Sequence, residues 1–161
     1  MYKNGGKRLI DLFFAILFLP LWLPILFILA PIIYFSDKGP IFYNANRLGK
    51  EGNIFKMYKF RSMRMNAPDL RNPDGSTFNS EEDPRLTSIG NFLRKSSLDE
   101  TPQLLNVIKG DMSFIGPRPD LPEQYDLYSE KDKDKLLIRP GITGYNQAYF
   151  RNTIPCDYFA G

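Results

Sequence analysis

The chain contains no histidine and a single cysteine, Cys156, among 161 residues. Without histidine there is no Ser-His-Asp or Cys-His nucleophile pair, and no His-ligated zinc or haem. One thiol excludes an intrachain disulfide framework, a Cys-only zinc site and an iron–sulfur cluster. Cys156 reads as an inert thiol suited to a reducing compartment. A bulk excess of charge is also missing: the formal net charge is +3, where a nucleic-acid binder of this size would usually carry more. No nucleic-acid partner is therefore expected. Chemistry is left to carboxylates, Lys, Arg, Tyr, Ser and Thr, with or without a hard metal held by oxygen ligands. The length suits one ordinary domain and leaves no room for a second large one.

Charge is absent altogether between Leu12 and Phe35, a run of 24 residues. As a straight helix this run would reach roughly 36 Å, enough for a hydrocarbon core of ~30 Å. A secretory signal would have a shorter apolar region and a small-residue cleavage site, and neither is present. A helix apolar on all sides needs protein all round it, which the rest of a small chain can hardly supply. The segment is expected in a membrane. Pro20, Pro24 and Pro31 interrupt it, each removing an i→i−4 hydrogen bond. Pro24 lies near the middle, where a bend would return the chain to the face it entered. Lys3, Lys7 and Arg8 precede the run and Lys38, Arg47 and Lys50 follow it, so the positive-inside rule favours the cytoplasm for both flanks. A dipping hairpin satisfies both flanks; a kinked spanning helix, the alternative on these residues, satisfies one.

Beyond Gly39-Pro40, Ile41-Phe42-Tyr43 and Ile54 to Phe60 read as two short strands of a hairpin joined through residues 48–52. Residues 66–84, rich in Pro, Asn, Asp and Ser, read as a long surface loop. Leu86 to Arg94 carries one apolar helical face, and a second helix over Leu98 to Lys109 is closed by Gly110. Pro122 to Leu137 reads as two short helices broken near Ser129, ended by Arg139-Pro140-Gly141. The expected class is α+β: a membrane hairpin over residues 1–38, then a small, mainly helical domain over 39–161 with a short β-hairpin.

Three local features carry chemistry. In Ser97-Leu98-Asp99-Glu100-Thr101-Pro102, Ser97 and Glu100 fit a capping box, or Thr101 caps with Pro102 in the first helical position. Either register puts Asp99 and Glu100 at a helix start, where the macrodipole favours anions; ordinary helix-start acidity is the plain alternative. Gly116-Pro117-Arg118-Pro119 holds one arginine between two prolines, a rigid way to aim a phosphate-binding fork or else an exposed turn. Lys59 and Arg61 share one strand face, as an anion site or as protection of a strand edge.

Together these segments resemble the monotopic phosphoglycosyl transferases, or bacterial sugar transferases, which start glycan assembly on a polyprenol carrier. The carrying stretches are 55–63 (FKMYKFRSM), 97–104 (SLDETPQL), 109–119 (KGDMSFIGPRP) and 139–144 (RPGITG). The resemblance implies transfer of a sugar 1-phosphate from a UDP-sugar to polyprenyl (undecaprenyl) phosphate, with release of UMP. It implies Asp99 as nucleophile, Glu100 as partner carboxylate, and Mg²⁺ at the pair, with Asp99 as a ligand. Lys59, Arg94, Arg118 and Arg151 fall where the family places cations around phosphates. It also implies a membrane helix that re-enters, here with its break at Pro24, in the inner (cytoplasmic) membrane, and a catalytic domain facing the cytoplasm. Self-association into a homo-oligomer is left open.

Two departures stand out. Leu23 replaces the family's usual Ser before the proline, and Gln147-Ala148-Tyr149-Phe150-Arg151-Asn152 differs from the usual Gln-Val-Asn-Gly-Arg-Asn. The chain is also expected to lack the helical tail most members carry. A non-catalytic, membrane-anchored module that binds polyprenyl phosphate or another polyanion is the competing reading, against which the intact Asp99-Glu100 pair speaks.

Overall fold

The computed structural model describes residues 5–70, 78 and 83–144. The apolar run forms helix α1, Lys7–Asp37, which ends where Lys38 turns left-handed and returns its N–H to Tyr34 O at 2.7 Å. The expected helix–break–helix is instead one helix with Pro20, Pro24 and Pro31 inside it. Each proline leaves the carbonyl four residues back (Ile16, Pro20 and Phe27) without its helical donor. Packing keeps the helix together across these gaps. Asp11, Ala15, Trp22, Leu29 and Ile33 are buried, a stripe with spacings of four and seven that faces the rest of the protein. The opposite faces bare large side chains, with Phe13 64%, Phe27 74% and Phe35 74% exposed, a surface that water does not favour.

Both ends of α1 are fastened to the same body. At the start, Arg8 donates to the carbonyls of Val107 (2.5 Å) and Ile108 (2.9 Å). Asp11 accepts from Ser113 Oγ (3.0 Å) and the Phe114 N–H (3.2 Å). At the far end, Asp37 pairs with Arg61 at 2.5 Å, and Arg61 donates to Ile33 O at 3.1 Å.

Strands β1 (Phe42–Leu48) and β2 (Ile54–Phe60) pair antiparallel from Phe42↔Phe60 to Leu48↔Ile54. β1 is longer than its sequence suggests. Asn44, Asn46 and Arg47 are weak strand formers, yet Ala45 and Leu48 turn inward and seat the ladder. Helix α2 (Ser88–Ser96) is capped by Thr87, whose hydroxyl accepts from the Gly90 N–H at 2.9 Å; Leu86 pairs with Met63 in a bridge and stays outside it. Helix α3 (Gln103–Lys109) is closed by Gly110 at φ 98°. A second sheet, unforeseen in the sequence, pairs β3 (Ser113–Ile115) parallel to β4 (Gly141–Thr143). The two meet at glycines: a Cβ on Gly141 would lie 2.1 Å from the Gly116 nitrogen. Between them, a 3-10 turn at Pro122–Leu127 and helix α4 (Glu130–Lys133) are separated at Ser129, as expected. The fold is thus mixed α and β. Its core joins Ala15, Trp22, Leu29 and Ile33 of α1 to Met57, Phe60, Leu93, Val107 and Met112.

Candidate active site

Asp99 and Glu100 lie in a 3-10 turn, Leu98–Glu100, wedged between α2 and α3. Neither expected cap forms. Ser97 is left-handed (φ 58°) and its side chain caps nothing, while Thr101 donates to Leu98 O at 2.8 Å. Helix α3 starts only at Gln103, so the pair sits in the tight connection before it. A non-glycine residue held at positive φ is strained, and such strain gathers at functional turns. Here it turns the chain sharply out of α2 and directs the carboxylates to β2.

The two acids differ in their surroundings. Glu100 is engaged with Lys59 of β2, Nζ to Oε1 at 2.7 Å. Asp99 is 8% exposed and forms no ion pair among the described residues. Burial pushes its carboxyl above the usual aspartate range; Glu100 adds to the rise, whereas Lys59 and Arg94 oppose it. A poorly solvated carboxylate is a stronger nucleophile than one in water, while nearby cations favour its ionised form.

Arg94 is held on the same side. Its Nε donates to Ser62 Oγ at 3.2 Å, and Nη1 lies 3.7 Å from Asp83 Oδ2. Asp83 is itself buried and bound by Arg85 at 2.7 Å, whose hydrogen bonds hold its carboxyl below the ordinary range. Asp83 and Ser62 therefore set where Arg94 points, a role their sequence context did not disclose. A further unforeseen residue is Asn106 of α3, 0% exposed. Its Oδ1 accepts from the Tyr58 N–H (2.9 Å), and its Nδ2 donates to Lys56 O (2.8 Å) and Asp111 Oδ2 (3.1 Å). A side-chain amide thus completes the outer edge of β2, one residue from Lys59.

The structure brings Asp99, Glu100, Lys59 and Arg94 together. Arg118 is exposed and borders a small pocket with Leu48, Gly49, Asp120, Tyr128 and Lys135. It shares a field with Arg47, whose guanidinium pKa is lowered by burial first and by Arg118 among smaller effects. The turn carrying Arg118 is pinned at Asp120, whose carbonyl accepts from the Leu48 N–H at 2.9 Å and whose carboxylate accepts from Lys135 at 2.5 Å and from the Tyr128 hydroxyl. Arg151 lies outside the described residues. Pro24 lies within α1.

A buried carboxylate with an adjacent acid and cations from two elements, beside an apolar helix, suits phosphoryl transfer, which asks for positioning and charge neutralisation without histidine. The chain belongs to the bacterial sugar transferase family, whose pattern matches residues 2–159. Among curated relatives, it is 43% identical over 156 residues to the galactosyl transferase CpsE of Streptococcus agalactiae, covering 92% of this chain and 34% of that one. It is 41% identical over 137 residues to a putative undecaprenyl-phosphate N-acetylgalactosaminyl 1-phosphate transferase of Bacillus subtilis, covering 85% and 70%. With the UDP-glucose:undecaprenyl-phosphate glucose-1-phosphate transferase of Escherichia coli it shares 39% over 144 residues, covering 88% and 30%. The chain thus spans about a third of the length of two of these relatives and about 70% of the other.

Proposed function

We propose that the protein transfers a sugar 1-phosphate from a UDP-sugar to polyprenyl phosphate, through a covalent intermediate on Asp99. An Asp99 oxygen attacks the phosphorus that carries the sugar. The bond from that phosphorus to the oxygen bridging the two phosphates breaks, and UMP departs with the bridging oxygen and its electron pair. An oxygen of polyprenyl phosphate then attacks the resulting acyl phosphate, giving polyprenyl-diphosphate-sugar and freeing the Asp99 carboxylate. Such displacements ask mainly for positioning and charge neutralisation, which histidine is not needed to supply. The observation that carries the reading is the buried Asp99, clear of ion pairs among the described residues, with Glu100, Lys59 and Arg94 acting on it.

Lys59 and Arg94 would neutralise the diphosphate, and Arg118 and Arg151 are proposed as further phosphate ligands. Among the described residues no group of three or more acids could cage a metal. The neighbouring Asp99 and Glu100 do suit Mg²⁺, which takes one or two carboxylates and completes its shell with phosphate oxygens and water. Asp99 is the proposed protein ligand; a bound Mg²⁺ would supply further neutralisation of the diphosphate.

We place the protein on the inner membrane, with both flanks of α1 and the catalytic domain in the cytoplasm. The basic flanks support this, as does the fastening of both ends of α1 to one body through Arg8 and Asp37. A helix of 31 residues is about 46 Å long. Standing upright in a bilayer, it would draw β2 or α3 into the lipid with it. A helix that dips or lies along the surface exposes its bare face to lipid and keeps the Asp99 turn near the phosphate of a membrane-bound acceptor. The test is incubation of the full chain in nanodiscs with polyprenyl phosphate and a panel of UDP-sugars. Release of UMP with at least one sugar, and its loss in Asp99→Asn, supports the reading; binding of polyprenyl phosphate with no UMP from any sugar would leave the non-catalytic module.

A further inference from the structure

Trp22 is the only tryptophan of the chain, and it lies in the middle of the membrane helix with 6% of its surface exposed. Its indole N–H donates to Thr101 Oγ1 at 3.1 Å. The same hydroxyl donates to Leu98 O at 2.8 Å, and the Thr101 N–H reaches that carbonyl at 3.2 Å. These bonds close the turn that contains Asp99 and Glu100. The indole ring also stacks on Phe60, centroids 6.4 Å apart and planes at 23°, and Phe60 directly follows Lys59. One side chain from the membrane helix therefore contacts the residue that follows Glu100 and the residue that follows Lys59.

The place of Trp22 within α1 matters as much. It lies between Pro20 and Pro24, so the helix there lacks the donors that would have reached the Ile16 and Pro20 carbonyls. This is the stretch least held by the helix's own bonds, and its position depends on what it docks against. Helix position and turn position are tied at that point.

We infer that Trp22 is a positioning residue for the transfer reaction: through Thr101 it holds the Asp99 turn, so the membrane helix sets the aim of the nucleophile. This rests on the transferase reading above. The consequence is specific. Loss of the indole–hydroxyl bond should loosen the aim of Asp99 while leaving the cations that bind the UDP-sugar in place, so kcat should fall and KM for the UDP-sugar should hold.

The test uses the full chain in nanodiscs. Trp22→Phe keeps an aromatic ring on Phe60 and removes the donor; Thr101→Val keeps the shape and removes the hydroxyl; Thr101→Ser keeps the hydroxyl. The expected result is a fall in kcat of about tenfold in Trp22→Phe and in Thr101→Val, with KM for the UDP-sugar within about twofold. Thr101→Ser should stay close to wild type. The double variant Trp22→Phe/Thr101→Val should be no slower than Thr101→Val, because the shared bond can be lost only once. Independently of turnover, Thr101→Val should shift the Trp22 fluorescence emission, since the indole loses its acceptor, and Thr101→Ser should not. An unchanged kcat in Trp22→Phe, losses that multiply in the double variant, or Thr101→Ser as slow as Thr101→Val would each overturn the inference. Absence of UMP release from the wild type with every sugar sinks the transferase reading and the positioning role together, whereas the emission shift still reports whether the contact exists.

Discussion

Asn106 offers the sharpest test of how the site is built. In a two-stranded antiparallel ladder, alternate residues turn their N–H and C=O away from the partner strand. In β2 these include Tyr58 and Lys56, and the Asn106 amide meets both, at 2.9 and 2.8 Å, while also reaching Asp111 at 3.1 Å. Asn106→Ala removes all three bonds. At about 1 kcal/mol for each partly buried bond, the loss is about 3 kcal/mol, a large part of the 5–15 kcal/mol that a domain typically has. For a chain of this length that amounts to a fall in Tm of roughly 6–12 °C. Asn106→Asp should be nearly as harmful, since a carboxylate keeps the acceptor for Tyr58 but turns its other oxygen on Lys56 O and Asp111. Thermal unfolding in matched detergent micelles, followed by circular dichroism, reads the effect. Because Lys59 follows Tyr58, either variant should also lose turnover. A fall in Tm below about 2 °C for Asn106→Ala would show that water replaces the amide freely and that β2 is held by other means.

Other substitutions probe the charges. Asp99→Asn should abolish turnover yet raise Tm at neutral pH. The folded-state pKa of Asp99 is raised by burial, with Glu100 adding to it, so the neutral form favours folding below the unfolded pKa of about 4 and that benefit is lost as pH rises through the higher folded value. The Tm gap between variant and wild type should therefore widen from about pH 4 upward; a variant less stable than wild type at neutral pH contradicts this. Arg118→Lys should lower kcat/KM by about thirtyfold, or about 2 kcal/mol, because an ammonium cannot reproduce the planar fork; an unchanged value makes Arg118 incidental to the reaction. In a Cys156→Ser background, cysteines placed at Lys3 and Lys38 should both resist a membrane-impermeant thiol reagent until the cells are lysed. Labelling of position 3 alone in intact cells would establish a spanning helix.

Much of this was legible where chemistry is local. The apolar run, the Gly110 helix stop and the break at Ser129 follow from short-range rules, and each stands in the structure. The nearness of Lys59 to Asp99 and Glu100 entered only through resemblance, since 40 residues separate Lys59 from Asp99 and no local pattern announces the contact. Features that depend on distant partners were not legible at all. The parallel pairing of β3 with β4 joins two three-residue strands across a long connection, and only the close approach of Gly116 and Gly141 gives it a physical signature. Asn106 carries no local signal in a short helix; its importance comes from the open edge of β2. The capping registers considered for Ser97 and Thr101 failed because both residues are engaged otherwise, Ser97 in a left-handed turn and Thr101 with Trp22 and Leu98.

If Asp99 carries the sugar phosphate between two substrates, it must be modified before the acceptor arrives. The most direct measurement is rapid-quench detection of UMP when enzyme, UDP-sugar and Mg²⁺ are mixed without polyprenyl phosphate, joined to mass spectrometry of the peptide containing Asp99. A covalent Asp99 intermediate predicts a burst of UMP approaching one equivalent per enzyme, a matching sugar-phosphate adduct on Asp99, and neither in Asp99→Asn. UMP released only when polyprenyl phosphate is also present, with the Asp99 peptide unmodified throughout turnover, would contradict it and point to direct transfer between the two substrates.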